Sequence, residues 1–222
     1  KSLSECDQLF LQGVHLYAQP YEILHKISKI PDDLSVLLVS DGSQKGNRIT
    51  YGWVLGLATR EIYAEHSGEG YGEATSHRAE GFGMLSGMLF IHHLCRYTNI
   101  SGNNRLLPVQ LTCSSDNQGL VTRILQRREY HESYPNATLA PDWDILEQIF
   151  QVLISLPVSD VGVEWVKGHQ DEDDPDLPTA ALYNLCANKL AGQVQPTQNT
   201  HEDPPLLPSE KCCLTINGAI IQ

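Results

Sequence analysis

The sequence lacks any long hydrophobic run. A membrane-spanning helix needs about 18 or more consecutive apolar residues, and no stretch of the 222 residues approaches that length. The N-terminus also lacks the apolar core of a signal peptide. We therefore expect no membrane partner and an intracellular protein of the cytoplasm or nucleus. Because the first residue is Lys1 rather than Met, we expect the sequence to be a piece of a longer chain.

Cysteine is present but shows no metal-ligand spacing. The six cysteines are scattered, and two of them fall inside apolar periodic segments. We therefore expect them to be reduced thiols.

Positive charge is scarce. The 15 lysines and arginines face 27 acidic residues, which gives a net charge of −12 and a pI of about 5.1. This balance argues against a protein that holds nucleic acid by bulk electrostatics. The charges are unevenly placed, however, because five acids crowd into residues 171–176. Basic residues flank the segments that carry other acids of interest: Lys45, Arg48, Arg123, Arg127, Arg128 and Lys167.

The stretch from Leu34 to Ser43, LSVLLVSDGS, predicts one buried strand that ends in a carboxylate. Its apolar residues run without alternation, as in a strand covered on both faces. Asp41 therefore lies where the strand leaves the core, and a carboxylate there needs a hydrogen-bond partner or a cation. The alternative is an ordinary turn residue, since Asp-Gly is a common turn pair.

Residues 76–96 give the strongest helical pattern, with Glu80 in the first turn and Ser76 as the expected N-cap. Gly83 and Gly87 follow Glu80 on the same side of the helix. Two interior glycines cost roughly 1 kcal/mol each relative to alanine, so we expect them to permit close approach to a sheet. Glu80 would then lie near the end of that sheet. The alternative role for Glu80 is to complement the helix dipole.

A third acid follows another strand. Residues 107–114 form this strand, and Asp116 stands at its junction with the next helix, where it could also be a simple N-cap. The other expected elements are strands at 50–59, 62–67 and 161–166 and helices from about 142 and over 178–191. The buried strand that begins at Leu34 and the strands at 50–59 and 62–67 are expected to form an antiparallel meander.

Five local motifs resemble the type 1 ribonuclease H family. They are SDGS at 40–43, SHRAEGFGML at 76–85, SSDNQGLV at 114–121, WVKGHQD at 165–171 and NLCANKLA at 184–191. The resemblance covers roughly residues 34–192. The long WVKGHQD loop and the Asn-Gly hairpin near the C-terminus look like the domain appended to the reverse transcriptases of retroelements, within a polyprotein.

The resemblance implies an α/β fold of the ribonuclease H-like type. We expect a five-stranded mixed sheet, with three antiparallel strands plus two parallel ones and helices on both faces. The expected organisation is an N-terminal leader or inter-domain segment at 1–33, the ribonuclease H-like domain at 34–192, a linker at 193–211 and a β-hairpin at 212–222.

The resemblance also implies a function, the endonucleolytic hydrolysis of the RNA strand of RNA/DNA hybrids. Two Mg²⁺ ions, which Mn²⁺ can replace, would activate the water and stabilise the leaving oxygen. By resemblance Asp41 bridges both metals, Glu80 and Asp116 hold the metal on the leaving-group side, and His169 assists product departure. The residues that contact the substrate are not indicated.

The sequence departs from the family at the fourth metal ligand. Asn188 stands where the family has an acid, and Leu185 replaces the preceding family glutamate. An amide oxygen ligates Mg²⁺ without adding charge, so metal binding should be weaker. Four interpretations remain: weakened activity, a deliberately introduced disabling substitution, a naturally inactive fold, or rescue by Asp171 or Asp144.

A second departure is the absence of the basic cluster with which many relatives grip the duplex. A neighbouring reverse transcriptase domain could supply that grip. The alternative function is a catalytically weakened or inactive ribonuclease H-like module for scaffolding or nucleic-acid binding. Such modules lose the metal acids piecemeal, whereas three of four persist here. A transposase or integrase core of the same superfold is a further possibility, but those cores lack the WVKGH motif.

Overall fold

The structure is a computed structural model. It describes residues 3–31, 33–98, 107–130, 140–194, 214–216 and 219–221. Helices cover both faces of a mixed sheet. The predicted α/β class is therefore confirmed.

The main sheet has six strands rather than the predicted five. They are β1 (His15–Leu16), β2 (Ser35–Lys45), β3 (Arg48–Leu57), β4 (Ile62–Glu69), β5 (Leu107–Ser115) and β6 (Val158–Trp165), in the spatial order β1-β4-β3-β2-β5-β6. The expected antiparallel meander β2–β4 and the parallel strands β5 and β6 are present. The additional strand β1 pairs antiparallel with β4 at the sheet edge. Two residues are too few to show a period-two pattern, so β1 could not be predicted from local pattern.

The described residues include six helices. They are α1 (Glu5–Leu11), α2 (Pro20–Ile27), α3 (Ser76–Thr98), α4 (Gln118–Arg128), α5 (Trp143–Ser155) and α6 (Thr179–Gln193). The expected N-cap of α3 was wrong by one residue. Thr75, not Ser76, precedes the helix, and its hydroxyl accepts a hydrogen bond from the Arg78 amide at 3.0 Å.

The core lies on both faces of the sheet. Helices α3, α4 and α5 cover one face, and α6 packs against β2 and β3 on the other. Gly83 and Gly87 of α3 permit the close approach that the sequence predicted. A Cβ added to Gly83 would lie 3.1 Å from Ser40 Cβ, and one added to Gly87 would lie 2.5 Å from Leu38 Cδ1.

The N-terminal segment packs against this core. Phe10 and Ile23 are buried at 3% and 0% exposure. A buried hydrogen-bonded chain fixes the segment, in which Trp53 Nε1 donates to Ser86 Oγ at 2.9 Å and Ser86 Oγ donates to the Phe10 carbonyl at 2.8 Å. The boundary at residues 33 and 34 stays a prediction.

The C-terminal hairpin consists of β7 (Leu214–Ile216) and β8 (Ala219–Ile221), which pair antiparallel. Its Asn217-Gly218 turn and most of the predicted 193–211 linker lie outside the described residues. Cys95, Cys113 and Cys186 are free thiols, as expected. Among the described residues, none of the helices has both the length and the apolar character that a membrane span requires.

Candidate active site

The prediction that the first buried strand ends at Asp41 was wrong, because Gly42 to Lys45 continue the pairing of β2 with β3. Asp41 thus lies within the strand rather than in a turn, and it is 5% exposed. It pairs across the strands with Gly52 of β3, and the preceding residue Ser40 pairs with Ser115 of β5. Side chains alternate along a strand, and Ser40 faces α3. Asp41 therefore belongs to the face that α6 covers.

Helix α3 begins directly beside Asp41 because Gly42 has no side chain. A Cβ added to Gly42 would overlap the backbone nitrogen of Glu80 and would lie 2.6 Å from the carbonyl carbon of Ala79. The Gly42 backbone also lowers the pKa of Glu80, against the larger effect of burial. Glu80 is 5% exposed. The predicted approach of Glu80 to the end of the sheet is therefore present.

Strand β5 brings the third acid to the same place. Asp116 directly follows β5, and the preceding Ser115 donates a hydrogen bond from its hydroxyl to Glu80 Oε2 at 2.9 Å. The alternative role for Asp116 as an N-cap is wrong. Asn117 caps α4, since its Oδ1 accepts from the Leu120 amide at 3.0 Å. The Asp116 carboxylate is thus not used in capping the helix.

The three carboxylates form a cluster. One oxygen each from Asp41, Glu80 and Asp116 lies within 4.8 Å of the others, and these residues are the one group of such acids, histidines or cysteines in the described part of the chain that could hold a metal ion. They come from a strand, a helix and a strand end that are distant in sequence.

Burial and mutual repulsion make this cluster electrostatically unfavourable by itself. Burial, reinforced by the charge of Asp116, raises the pKa of Asp41 to about 7. Burial and then the charges of Asp41 and Asp116 raise the pKa of Glu80 well above its ordinary value, against the hydrogen bonds from Ser115 and Gly42. A cation at this position would relieve the repulsion, so the residues fit a metal that prefers oxygen ligands.

The predicted His169 lies in a loop that passes over Asp116. A Cβ added to Gly168 would overlap the Asp116 carboxylate, so a larger residue there would force that side chain to move. His169 itself is exposed and has a left-handed backbone with a φ of 50°. Trp165 fixes the start of this loop, because its indole nitrogen donates to the Asp116 carbonyl at 2.9 Å.

Asn188, the fourth predicted ligand, belongs to α6 and is half-buried. A Cβ added to Gly52, the strand partner of Asp41, would overlap the carbonyl oxygen of Ala187. Asn188 is therefore the residue after Ala187, which contacts Gly52, the β3 partner of Asp41.

Neither acid considered for rescue belongs to the carboxylate cluster. Asp144 forms a two-point salt bridge with the buried Arg78, at 2.9 and 2.7 Å. Asp171 is exposed, and one of its oxygens accepts from the Asp173 amide at 3.1 Å. The pairing of Arg78 with Asp144 could not be predicted from the sequence, since the two residues are 66 positions apart.

Several flanking basic residues are already bonded. Arg48 pairs with Glu69 at 2.8 Å, and Arg127 pairs with Glu147 at 2.7 Å. Arg123 donates to the Pro141 carbonyl at 2.6 Å. These side chains hold the fold together and are poorly available for a nucleic acid.

Several solved structures resemble the chain at low sequence identity. The ribonuclease H1 of Halobacterium salinarum NRC-1 is 18% identical with a TM-score of 0.43, over 71% of this chain and 95% of that one. The N-terminal ribonuclease H domain of a Mycobacterium tuberculosis protein, solved as a fusion with maltose-binding protein, is 21% identical with a TM-score of 0.43, over 71% and 92%. The protease–reverse transcriptase of Prototype Foamy Virus is 17% identical with a TM-score of 0.47, over 74% of this chain and 21% of that one. No protein-family model and no curated protein matches the sequence.

Proposed function

We propose that the chain is a metal-dependent endoribonuclease of the ribonuclease H type, which hydrolyses the RNA strand of RNA/DNA hybrids. The observation that carries this proposal is the carboxylate cluster of Asp41, Glu80 and Asp116, whose oxygens meet within 4.8 Å. The sheet order and the five motifs quoted above support it. We further propose that the ribonuclease H-like unit spans residues 34–192.

Asp41, Glu80 and Asp116 would hold Mg²⁺, or Mn²⁺ in its place. When bound, a pair of such ions supplies an activated water and a stabilised leaving oxygen for an in-line displacement at phosphorus. The chain provides the frame for this chemistry. Ser115 fixes the Glu80 carboxylate by a hydrogen bond, and burial of Asp41 and Glu80 limits competition from bulk water.

Two further residues have proposed roles. His169, exposed beside Gly168 and Asp116, would assist departure of the cleaved product. Asn188 would contribute an amide oxygen as the fourth ligand, which binds a divalent cation without adding negative charge. We therefore expect a higher metal requirement than four carboxylates would give.

Rescue of this site by Asp144 is the weakest of the four interpretations of Asn188. Both Asp144 oxygens are bonded to Arg78, and breaking a buried ion pair typically costs about 3–5 kcal/mol. Rescue by Asp171 would require its loop to move. Weakened activity is the interpretation we propose.

We propose that the partner of this chain is the RNA/DNA hybrid together with a neighbouring reverse transcriptase domain of a retroelement. The net charge of −12 leaves little electrostatic attraction for a duplex. An adjoining polymerase domain would supply the missing affinity.

The competing function is a ribonuclease H-like module that binds or scaffolds without catalysis. The replacement of the fourth acid by Asn188 favours it. The three remaining acids argue against it, because nothing in a scaffold requires carboxylates to be buried against one another.

Cleavage of a labelled RNA/DNA hybrid during a Mg²⁺ and Mn²⁺ titration tests the proposal. We expect cleavage of the RNA strand by the native chain and none by Asp41→Asn. A native chain that binds the hybrid but never cleaves it, at any concentration of either metal, would establish the scaffold function instead. Cleavage that survives in Asp41→Asn would locate the chemistry elsewhere.

A further inference from the structure

Trp165 exposes its aromatic ring beside the carboxylate cluster. The chain has three tryptophans, of which Trp53 is 0% exposed and Trp143 is 9% exposed. Trp165 is 50% exposed. A tryptophan is normally buried for most of its surface because the ring is large and apolar. The exposed face therefore has the character of a contact surface.

The ring is held in place at this position. Its single polar atom, Nε1, donates to the carbonyl of Asp116 at 2.9 Å. The next residue, Val166, donates its amide to the Ser115 carbonyl at 3.1 Å. The indole is thus tied to the residue that carries one of the three clustered carboxylates, and little conformational freedom remains to be lost when a ligand covers it.

The net charge of the protein makes an apolar contact valuable for binding a polyanionic substrate. The net charge is −12, and the arginines of the adjacent helix α4 are engaged with protein groups: Arg123 with Pro141, Arg127 with Glu147 and Arg128 with Val161. Proteins that bind nucleic acid without sequence preference combine basic groups with aromatic contacts, which tolerate any base sequence. Where few basic groups are free, the aromatic contact carries a larger share of the affinity.

We propose that Trp165 is a substrate-contacting residue, whose exposed face packs on a sugar of the nucleic-acid strand that enters the carboxylate cluster. This inference rests on the proposed function. In a hybrid duplex the bases are stacked inside, but the wide and shallow minor groove exposes the ribose rings. A fixed ring at the edge of the cluster can lie against such a ribose and set which phosphate reaches the acids.

Steady-state cleavage of the hybrid by three variants separates contact from positioning. We expect Trp165→Ala to raise KM by about tenfold or more, in line with the loss of one aromatic contact, and Trp165→Phe to restore most of the affinity. The phenylalanine ring keeps the face but lacks the donor to Asp116. Tyr97→Ala removes an aromatic side chain of similar exposure, 58%, at the far end of α3 and should change neither constant. A fall in kcat without a change in KM in both Trp165 variants would overturn the proposal, since Trp165 would then act only by positioning Asp116.

Tryptophan fluorescence provides a readout that does not depend on cleavage. Acrylamide quenching of the native chain should come mainly from Trp165, and we expect hybrid bound to the cleavage-deficient Asp41→Asn variant to protect it. The Trp165→Phe variant should show little quenching with or without hybrid. If the native chain cleaves the hybrid while bound hybrid leaves quenching unchanged, this proposal fails and the proposed function stands. If bound hybrid protects Trp165 from quenching but the native chain does not cleave it, the contact stands and the enzymatic function fails. If no hybrid is bound at all, both fail.

Discussion

Ser115 donates a hydrogen bond from its hydroxyl to Glu80 Oε2 at 2.9 Å, and this bond is buried. It connects the end of β5 to Glu80, which lies one turn after the start of α3. The same hydroxyl accepts a hydrogen bond from the Asn117 amide at 3.1 Å, so one oxygen orients both an acid of the cluster and the start of α4.

Replacing Ser115 by alanine should therefore weaken both the fold and the metal site. A buried group that loses its partner typically costs about 1–3 kcal/mol, and we expect Ser115→Ala to lower the free energy of unfolding by that amount. Urea denaturation without metal measures this loss in the free energy of unfolding. Calorimetric titration with Mg²⁺ should show weaker binding, because Glu80 loses a bond that orients it.

Ser40→Ala is the matched control. Ser40 is as fully buried as Ser115, at 0% exposure, and pairs with it across the two strands. Its hydroxyl has no hydrogen-bond partner within the described part of the chain. The Ser40 substitution should be close to neutral. Equal losses in the two variants would contradict the assignment of a specific role to the Ser115 bond.

Gly42→Ala should distort the site through packing alone. The added methyl would overlap the Glu80 backbone nitrogen and would come within 2.8 Å of Ala79 Cβ. Overpacking of this kind costs about 1–3 kcal/mol, and here the atoms that must move carry Glu80. We expect a lower melting temperature and weaker Mg²⁺ binding by calorimetry.

Gly192→Ala is the corresponding control at an open position. An added Cβ there meets nothing within 4 Å, and residue 192 lies in the last turn of α6. Alanine is a better helix former than glycine by up to roughly 1 kcal/mol, so this variant should be slightly stabilised. A stabilised Gly42→Ala would show that α3 can move away without loss.

The sequence predicted the elements of the site better than their meeting point. Asp41, Glu80 and Asp116 each follow a readable strand or helix start, because uninterrupted apolar runs and 3.6-residue spacing are local signals. Their convergence was expected only from the resemblance to known motifs. The glycines of α3 gave an independent physical clue, since their helical cost needed a packing reason.

Other features could not be predicted from local pattern. The caps Thr75 and Asn117 stand next to residues that cap equally well, so composition alone does not choose between them. The pairing of Arg78 with Asp144 depends on how α3 and α5 pack. The exposure of Trp165 runs against the usual preference of its residue type.

The buried His66 should make the fold sensitive to mild acid. It is 5% exposed and lies beside the rings of Tyr51 and Trp53, with centroids 5.9 and 5.8 Å away. Burial lowers the pKa of His66 to about 4, although hydrogen bonding to the backbone of Gly13 and Phe10 opposes the shift. Between the ordinary value of 6.5 and about 4, the unfolded chain binds a proton that the folded chain excludes.

Stability linked to His66 is therefore full above pH 6.5 and is lost as the pH falls towards about 4. The loss should approach about 3.5 kcal/mol, because the pKa falls from 6.5 to about 4 and each unit of pKa corresponds to about 1.4 kcal/mol. Urea denaturation of the native chain and of His66→Phe across this range isolates the effect, because the other groups titrate in both proteins. A constant difference in unfolding free energy between the two would contradict a neutral buried histidine.

Asn188→Asp should lower the metal requirement of the proposed enzyme. Residue 188 follows the contact between α6 and Gly52, the partner of Asp41, so a carboxylate there adds negative charge beside the existing cluster. We expect the Mg²⁺ concentration for half-maximal hybrid cleavage to fall about tenfold, which corresponds to about 1.4 kcal/mol. Without metal the same charge adds repulsion, so the melting temperature should fall in chelator and recover in Mg²⁺.

The control for this change is Gln193→Glu, which adds the same charge to the exposed end of α6. Over five residues the helix rises about 7.5 Å, so this glutamate should leave the Mg²⁺ dependence unchanged. If both variants respond alike, the effect of residue 188 is only one of net charge. If neither variant responds, then Asn188 does not contact the metal, and the cluster of Asp41, Glu80 and Asp116 must bind it without help from α6.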